Sequence, residues 1–465
     1  MDNRQLRSSI MNLSLPVMGQ MLSQTFAGII TQMVVGHLGA AELAGVGLAN
    51  RIMFLLIGAV SALSVGNTVL VARNIGAGDE KAAHQVLAQS LVAGVAGGAI
   101  LALAGICVSR YMILFLVQGK GDPAVVEAGV LYLRIIFGSM VLGLPMFFIG
   151  GALRGAGDTK TPMFISWATN GVQILFSYPL TYGLGPLPGW GLLGACLAQG
   201  LSRAVGGLLS VWVIVNPKIG RLRLTREVKY KPDWTILKPI LKIGFPAAGE
   251  QLLRQGSQLI YTMLVASMGT VAIAANGLVM TVQSLSFMPG FGFGVAATTL
   301  VGQSLGAKRS EEAAAYGWQT NRYATYFMAA MGVVFFLFAE PLAAIFTTDL
   351  EVRRLTAFCL RIVAFSQIPF SYIMVLCGAL RGAGDTKWVM YITGVGQWGI
   401  RLVLSFIFGL WCGWGLPGVW LAMTVDVFVR MFFVIARFRS GKWKNIMAAA
   451  GPRPGRRQAT HPAGQ

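Results

Sequence analysis

The sequence predicts an all-α polytopic membrane protein, with twelve transmembrane helices arranged as two parallel six-helix repeats. Three observations carry this. Of 465 residues, 55% are hydrophobic and 12% charged, about half the charged share of a soluble chain. Apolar segments of about 20 residues recur from end to end, each long enough to cross a hydrocarbon layer about 30 Å thick. Finally, the run GALRGAGDTK at 151–160 returns unchanged at 378–387. Water cannot satisfy backbone groups inside a bilayer, so helices or closed barrels are required, and the ten-residue alternation of barrel strands is absent from the sequence.

In chain order, the first half predicts helices over 12–35, 44–72, 87–112, 125–151, 162–184 and 191–215. The polar opening MDNRQLRSSI leads into an apolar segment too long for a cleavable signal, so that segment is expected to stay as a helix. A polar stretch follows the sixth helix, carrying Lys218, Arg221, Arg223, Arg226, Lys229 and Lys231 against Glu227 and Asp233. The second half predicts helices over 240–266, 272–303, 317–339, 353–379, 388–410 and 414–437. The expected organisation is an N-terminal lobe (1–215), a basic linker (216–238), a C-terminal lobe (239–440) and a Pro/Gly-rich disordered tail (441–465).

The formal net charge of +20 raises nucleic acid as a partner, but its placement argues for the bilayer instead. Arg4, Arg7, Arg73, Lys81, Arg154, Lys160, Lys308, Arg309, Arg381, Lys387 and the tail from Arg437 all fall on the linker's side of the alternation. Arg110, Lys120, Arg353 and Arg354 fall on the other. The positive-inside rule then puts linker and both termini in the cytoplasm. The five cysteines (Cys107, Cys196, Cys359, Cys377, Cys412) lie in or beside apolar segments without a CxxC pair and read as packing residues. His37, His84 and His461 are too scattered for a metal site.

The repeat extends beyond the decapeptide. YLRIIFGS at 132–139 faces CLRIVAFS at 359–366, and NIGAGDEKAA aligns with SLGAKRSEEA at an offset of 230. Six helices per half is an even number, so both halves enter the membrane from one side. Such a parallel repeat suits two bundles rocking about a central site. A channel would want a filter-like run or an acidic ring, and neither stands in the sequence.

At this point the chain resembles the multidrug and toxic compound extrusion (MATE) family. The resemblance rests on VGHLGAAELAGVGLAN after the first helix, the two LRGAGDTK runs and the LVGQSLGA run closing the eighth. It implies two lobes forming a V around a cavity, and export of small amphipathic organic cations coupled to Na⁺ or H⁺ influx. It implies no other cofactor, and a monomer in the inner membrane. The family places a functional glutamate in the seventh helix, where this chain has Glu250, four residues past Pro246. Family aspartates in the first, fifth and tenth helices are replaced by Thr31, Tyr178 and Phe370. Transport is therefore expected to depend on the C-terminal lobe.

An intramembrane carboxylate is costly and signals function. Glu250 qualifies, with Arg254 four residues on and hence on the same face. Ion coupling and a self-neutralising pair both stand as readings. Asp426, with Arg430 at the same spacing, is a structural pair or a second acidic site. The decapeptides likewise set Arg154 four residues before Asp158 and Arg381 before Asp385, around a Gly-Ala-Gly turn. Cavity candidates, chosen as polar acceptors, aromatics and methionines, are Gln20, Gln24, Asn50, Asn170, Tyr261, Met280, Gln283, Met288 and Gln397; for any single one, interhelical glue is the leading reading. The rival is a flippase-like carrier of lipid-linked or anionic substrates, which needs a basic cavity. Arg51, Arg203, Arg254 and Arg401 are the intramembrane cations available for one. A membrane enzyme is disfavoured by the lack of a nucleophile–base or metal cluster.

Overall fold

The structure is a computed structural model that describes residues 3–117, 122–184, 187–216, 222–224 and 230–446. Lys120, the linker's Lys218, Arg221, Arg226, Glu227 and Lys229, and the tail beyond 446 lie outside those residues. The first six long helices are α1 (Asn3–Gly36), α2 (Ala40–Gly76), α3 (Glu80–Leu116), α4 (Pro123–Gly155), α5 (Lys160–Tyr182) and α6 (Leu192–Val215). The second six are α7 (Trp234–Ala266), α8 (Thr270–Gly306), α9 (Ser310–Leu337), α10 (Leu350–Gly382), α11 (Thr386–Trp411) and α12 (Gly415–Arg439). Between α9 and α10 a short helix, Ala339–Phe346, bends 75° away from α9. A two-residue hairpin pairs Gly183 with Pro188 between α5 and α6.

The helices outrun the apolar segments that predict them. Apolarity marks only the part in hydrocarbon, whereas the polar ends are also helical because side chains cap them. Asp79, Asp122, Asp233 and Asp349 each accept a backbone N–H in the first turn of the following helix. α1 thus runs for 34 residues, about 50 Å.

Helices α2, α3, α4, α6, α8, α10, α11 and α12 each carry an apolar window able to cross a bilayer unaided, and α9 does so with its bent extension. The exceptions α1, α5 and α7 are explained by polar seams. α5 ties to α1 through Asn170–Ser23, Gln173–Thr31 and Trp167 donating to the Gly19 carbonyl. In the other half, Trp398 on α11 donates to the Leu253 carbonyl on α7, and Ser257 on α7 to the Gln397 carbonyl. Polar groups turned inward lower a helix's mean hydropathy without exposing it to lipid.

The repeat holds in the packing of the helices. α1 packs on α5, α2 on α4, α3 on α4, α4 on α6 and α5 on α6. Their counterparts α7 on α11, α8 on α10, α9 on α10, α10 on α12 and α11 on α12 pack likewise. Thr68 Oγ1 donates to the Gly151 carbonyl at 2.8 Å, and Thr298 Oγ1 to the Gly378 carbonyl at 2.8 Å. Those glycines let α4 and α10 press backbone to backbone against α2 and α8, since a Cβ on either would strike the Ser64 or Gly294 carbonyl.

The halves meet through α1–α8, α2–α7 and α2–α8. The close approaches are Gly292 against Ser14, Gly244 against Leu63, Gly66 against Ile240, and the Gly76–Gln303 and Gly306–Arg73 crossings. All lie in the halves of these helices nearer the termini. Towards the opposite face the same helices carry exposed Phe26, Met33, Phe54, Leu259, Met263 and Ile273. The cleft between the bundles is therefore sealed on the side of the termini and opens away from it.

Two boundaries differ from expectation. Leu6, Ile10 and Leu13 of α1 pack in the second half's core with Phe293, Ala297 and Leu300, while Ile240 of α7 packs in the first half's core with Val71 and Ile149. The division at 215 and 239 therefore separates the repeats but not the cores, because each bundle's entering helix seals the other. The tail expected to be disordered from 441 begins with a 3₁₀ turn, Lys442–Asn445. Trp443 is buried, stacks on Phe438 at 4.7 Å and donates to its carbonyl. Finally, α11 is not a regular helix: Val395–Leu402 and Phe406–Trp411 are π-helical.

Candidate functional site

Glu250 stands on α7 six residues beyond Gly244, which marks the α2–α7 crossing. It is at the level where the sealed part of the cleft begins, but its side chain turns into the second bundle and is 4% exposed. Oε1 accepts from Arg254 Nη2 at 2.6 Å and from Arg381 Nη2 at 2.6 Å, and Oε2 from Arg381 Nε at 3.2 Å. Thr393 Oγ1 of α11 stands 3.5 Å from Oε1. Arg254 is the partner expected from helical spacing. Arg381 is not: it belongs to the second decapeptide at the end of α10.

The exposures order the three groups. The side chain of Arg254 is 35% exposed, that of Arg381 22% and the carboxylate 4%. The guanidiniums therefore form a cap between Glu250 and water. A carboxylate open to the chamber is not what this conformation presents, because its lone pairs are already taken by the protein's own cations.

Asp426 on α12 is fully buried and forms a second, deeper triad. Arg430 donates to both its oxygens at 2.8 and 2.6 Å, and Arg401 to Oδ2 at 3.2 Å. Arg430 is the expected partner at i+4, while Arg401 comes from the first π-helical stretch of α11. The wider coil faces Asp426 through Gly396, where a Cβ would collide with the Arg430 side chain. π-helical turns recur at functional sites.

The identical decapeptides do different work, and the Arg and Asp within each are not paired. In the second, Arg381 goes to Glu250, whereas Asp385 takes Arg437 at 2.8 Å, with that guanidinium over the Trp388 ring. In the first, Asp158 binds the backbone N–H and hydroxyl of Thr161. Arg154 has no hydrogen bond or ion pair from its guanidinium among the described residues, and neither has Arg203 on α6. The first half lacks this acid and its helical partner: at the offset of 230 Gln20 stands for Glu250 and Gln24 for Arg254.

The cavity candidates separate. Gln20 and Met288 are half-buried just beyond the Ser14–Gly292 crossing, at the cleft floor; Gln283 and Met280 are half-buried farther along α8, and Gln24 is exposed on α1. Asn50 is exposed and accepts from Tyr132 at 2.6 Å. Asn170 is buried and bonded to Ser23. Tyr261 is a correction: it is wholly buried in the second bundle, bonded to Asn276 and edge-on to Trp420, so it packs a core and lines no chamber. Gln397 is also buried there, its Oε1 without a partner among the described residues. Thr31 bonds Gln173, and Phe370 packs on Phe287.

Spacing on one helix finds i,i+4 partners, and it found Arg254 and Arg430. It is blind to partners from other helices, and so missed Arg381 and Arg401. The signal for Arg381 was its place in a block kept identical in both halves.

The family profile described as MatE matches residues 16–179 and 246–407, once in each repeat. A probable multidrug resistance protein NorM of Thermotoga maritima is 33% identical over 442 residues, covering 95% of this chain and 94% of that protein. An uncharacterized transporter, YisQ, of Bacillus subtilis is 28% identical and covers 94% of each. Among solved structures, a MATE protein in a bent conformation superposes with a TM-score of 0.86 at 23% identity, over 95% of this chain and 97% of that one. A MOP superfamily transporter from Pyrococcus furiosus, described as having a binding pocket of reversed polarity, superposes with a TM-score of 0.85 at 23% identity, over 94% and 95%. With the twofold helical repeat and the cleft between its bundles, the chain belongs to the MATE family of multidrug efflux transporters; it is a transporter and not an enzyme.

Proposed function

We propose that the chain is a secondary antiporter of the inner membrane, with both termini cytoplasmic, working as a monomer. It exports small amphipathic organic cations in exchange for Na⁺ or H⁺, with Glu250 as the coupling carboxylate. The observation that carries the reading is the double guanidinium cap on that carboxylate at the cleft floor. Arg254 and Arg381 occupy the places an inbound cation would take. When Na⁺ or H⁺ neutralises the carboxylate, the guanidiniums lose their counter-charge, and Arg254, the more exposed, turns to the cleft. The added positive charge there lowers the affinity for a bound organic cation and promotes its release. Coupling of this kind is a difference in ion affinity between two states of one protein.

A second reading is favoured by charge. Within the spanning helices stand six arginines, Arg154, Arg203, Arg254, Arg381, Arg401 and Arg430, against two carboxylates, Glu250 and Asp426, which pair with the last four. That excess suits a carrier of anionic or lipid-linked substrates. Reconstitution into proteoliposomes with Na⁺ and H⁺ gradients imposed separately tests both. The first reading predicts efflux of a cationic dye such as ethidium under one inward gradient. Flux of an anionic dye but not ethidium would replace it with the second, and flux of neither would sink the export reading.

A further inference from the structure

Inside the second bundle, five helices bring polar side chains to one level. Tyr261 on α7 and Ser405 on α11 stand five and six residues before their helices end. Asn276 on α8, Thr356 on α10 and Trp420 on α12 stand five or six residues after theirs begin. All those helix ends lie on the face remote from the termini, so the five residues sit about 8 Å beneath it. Tyr261, Cys359, Leu402 and Trp420 share one apolar core. The Tyr261 ring meets Trp420 edge-on at 6.3 Å and lies within electrostatic reach of Arg401 and Cys359. Thr356 is one helical turn from Cys359 and Ser405 one turn from Arg401, which puts both in the same neighbourhood.

Three donors at this level are unsatisfied. Trp420 Nε1, Ser405 Oγ and Thr356 Oγ1 are buried and make no hydrogen bond among the described residues. Tyr261, by contrast, donates to Asn276 at 2.8 Å. Other buried hydroxyls of this bundle donate to a carbonyl one turn back, as Ser366 does to Val363 and Thr424 to Trp420. A buried donor left over in this way calls for a water or an ion. Charge decides between them. Arg401 and Arg430 set two positive charges against the single negative charge of Asp426, a surplus of one. The same surplus at Glu250 stands at the cleft, where water screens it, whereas all three side chains here are at most 6% exposed. Arg401 engages Asp426 through Nε, and its two Nη groups make no hydrogen bond among the described residues. Water would satisfy the donors but leave the buried charge uncompensated. The unpartnered acceptor Gln397 Oε1 lies one turn to the terminal side of Arg401, away from the donors. At the offset of 224 that aligns GWGLLGACLA with GWGLPGVWLA, the first half has Cys196, Ser202 and Gly206 for Trp420, Asp426 and Arg430. Neither the charges nor the indole donor belongs to the shared scaffold.

We propose that the second bundle binds one monatomic anion, chloride, between the Arg401 guanidinium and the donors of Trp420, Ser405 and Thr356. A spherical ion little larger than water accepts from donors arriving on three helices without demanding a direction from any of them. A carboxylate or phosphate needs more room than a core filled by Leu402, Leu416 and Val419 gives. The ion supplies the negative charge that Asp426 alone cannot, and with it holds α10, α11 and α12 together. The site is separate from Glu250 and from the cleft, and it does not depend on what the protein exports.

The test uses the full chain purified in a neutral detergent with gluconate, too large for the site, as the only anion. Chloride is then titrated in at constant ionic strength, with bound radioactive chloride counted by equilibrium dialysis and unfolding followed by heating. Wild type is expected to bind one chloride per chain, and its unfolding temperature to rise with the logarithm of chloride concentration. Thr356→Val, Ser405→Ala and Trp420→Phe each remove one donor and should weaken chloride binding by about tenfold. Thr424→Val removes a neighbouring hydroxyl that is already bonded within its helix, and should leave the affinity unchanged. Should Trp420→Phe not fold, the two hydroxyl variants carry the test. Absence of bound chloride in wild type, the mark of water alone, overturns the proposal. So does wild-type affinity in the folded Thr356→Val and Ser405→Ala variants, or an equal loss in Thr424→Val. No readout here is transport, so the result stands apart from success or failure of the export reading.

Discussion

Glu250 and Asp426 are each held by two arginines, one from the carboxylate's own helix and one from another. Glu250 and Asp426 differ in access: the guanidiniums on Glu250 reach the cleft surface, whereas Arg401 and Arg430 are as buried as Asp426. On the proposed reading that difference separates a switch from a brace. Asp426→Asn leaves two buried guanidiniums without a counter-charge and is expected to cost about 3–5 kcal/mol, read as a lowered melting temperature in detergent. Its effect on gradient-driven flux per folded molecule should be small. The exposed Arg361–Glu340 pair, 3.4 Å apart, provides the contrast: Arg361→Gln should shift stability by less than about 1 kcal/mol. What was legible in the sequence at this scale is what one helix can encode. Arg254 and Arg430 follow from a spacing of four, whereas Arg381 and Arg401 depend on how α10 and α11 are placed in space. Tyr261 was misplaced for the same reason, since an aromatic at helical spacing does not declare which side of its helix meets a core.

Among elements, the paired supports of α4 and α10 carry the repeat. Thr68 and Thr298 make the same bond at the same length to Gly151 and Gly378. Thr68→Val and Thr298→Val should therefore destabilise by similar amounts, about 1 kcal/mol each, measurable by thermal unfolding. Two further bonds cross between the bundles from positions where the first repeat carries different residues. Thr299 Oγ1 donates to the Arg154 carbonyl at 2.9 Å and Gln303 Nε2 to the Gly155 carbonyl at 2.9 Å, whereas α2 has Val69 and Arg73 in those places. They tie α8 to the end of α4 at the sealed face. The double change Thr299→Val with Gln303→Ala should loosen that face, seen as a longer spin-label distance between the terminal-side ends of α2 and α8. An unchanged distance would show that the glycine crossings alone hold it shut. The sequence displayed the twelve apolar segments because hydrocarbon demands them. It did not display the π-helical turns of α11, whose hydrogen-bond shift leaves hydropathy unaltered.

For the whole molecule, the duplicated decapeptide foretold the architecture, and the structure adds how the halves are joined. The first turns of α1 and α7 are exchanged between cores, so rocking of one bundle against the other must break apolar contacts on the terminal side. The cleft is open to the far side, the state in which a transporter exchanges cargo for the inbound ion. On the proposed reading, neutralising Glu250 then changes the charge of the cleft floor from within. The most direct test is cationic-dye flux in proteoliposomes under an imposed inward Na⁺ or H⁺ gradient, comparing wild type with Glu250→Gln at matched amounts of folded protein. A loss of gradient-driven efflux by at least tenfold, with dye binding retained, is the predicted result. Efflux by Glu250→Gln at the wild-type rate under the same gradient would contradict the account.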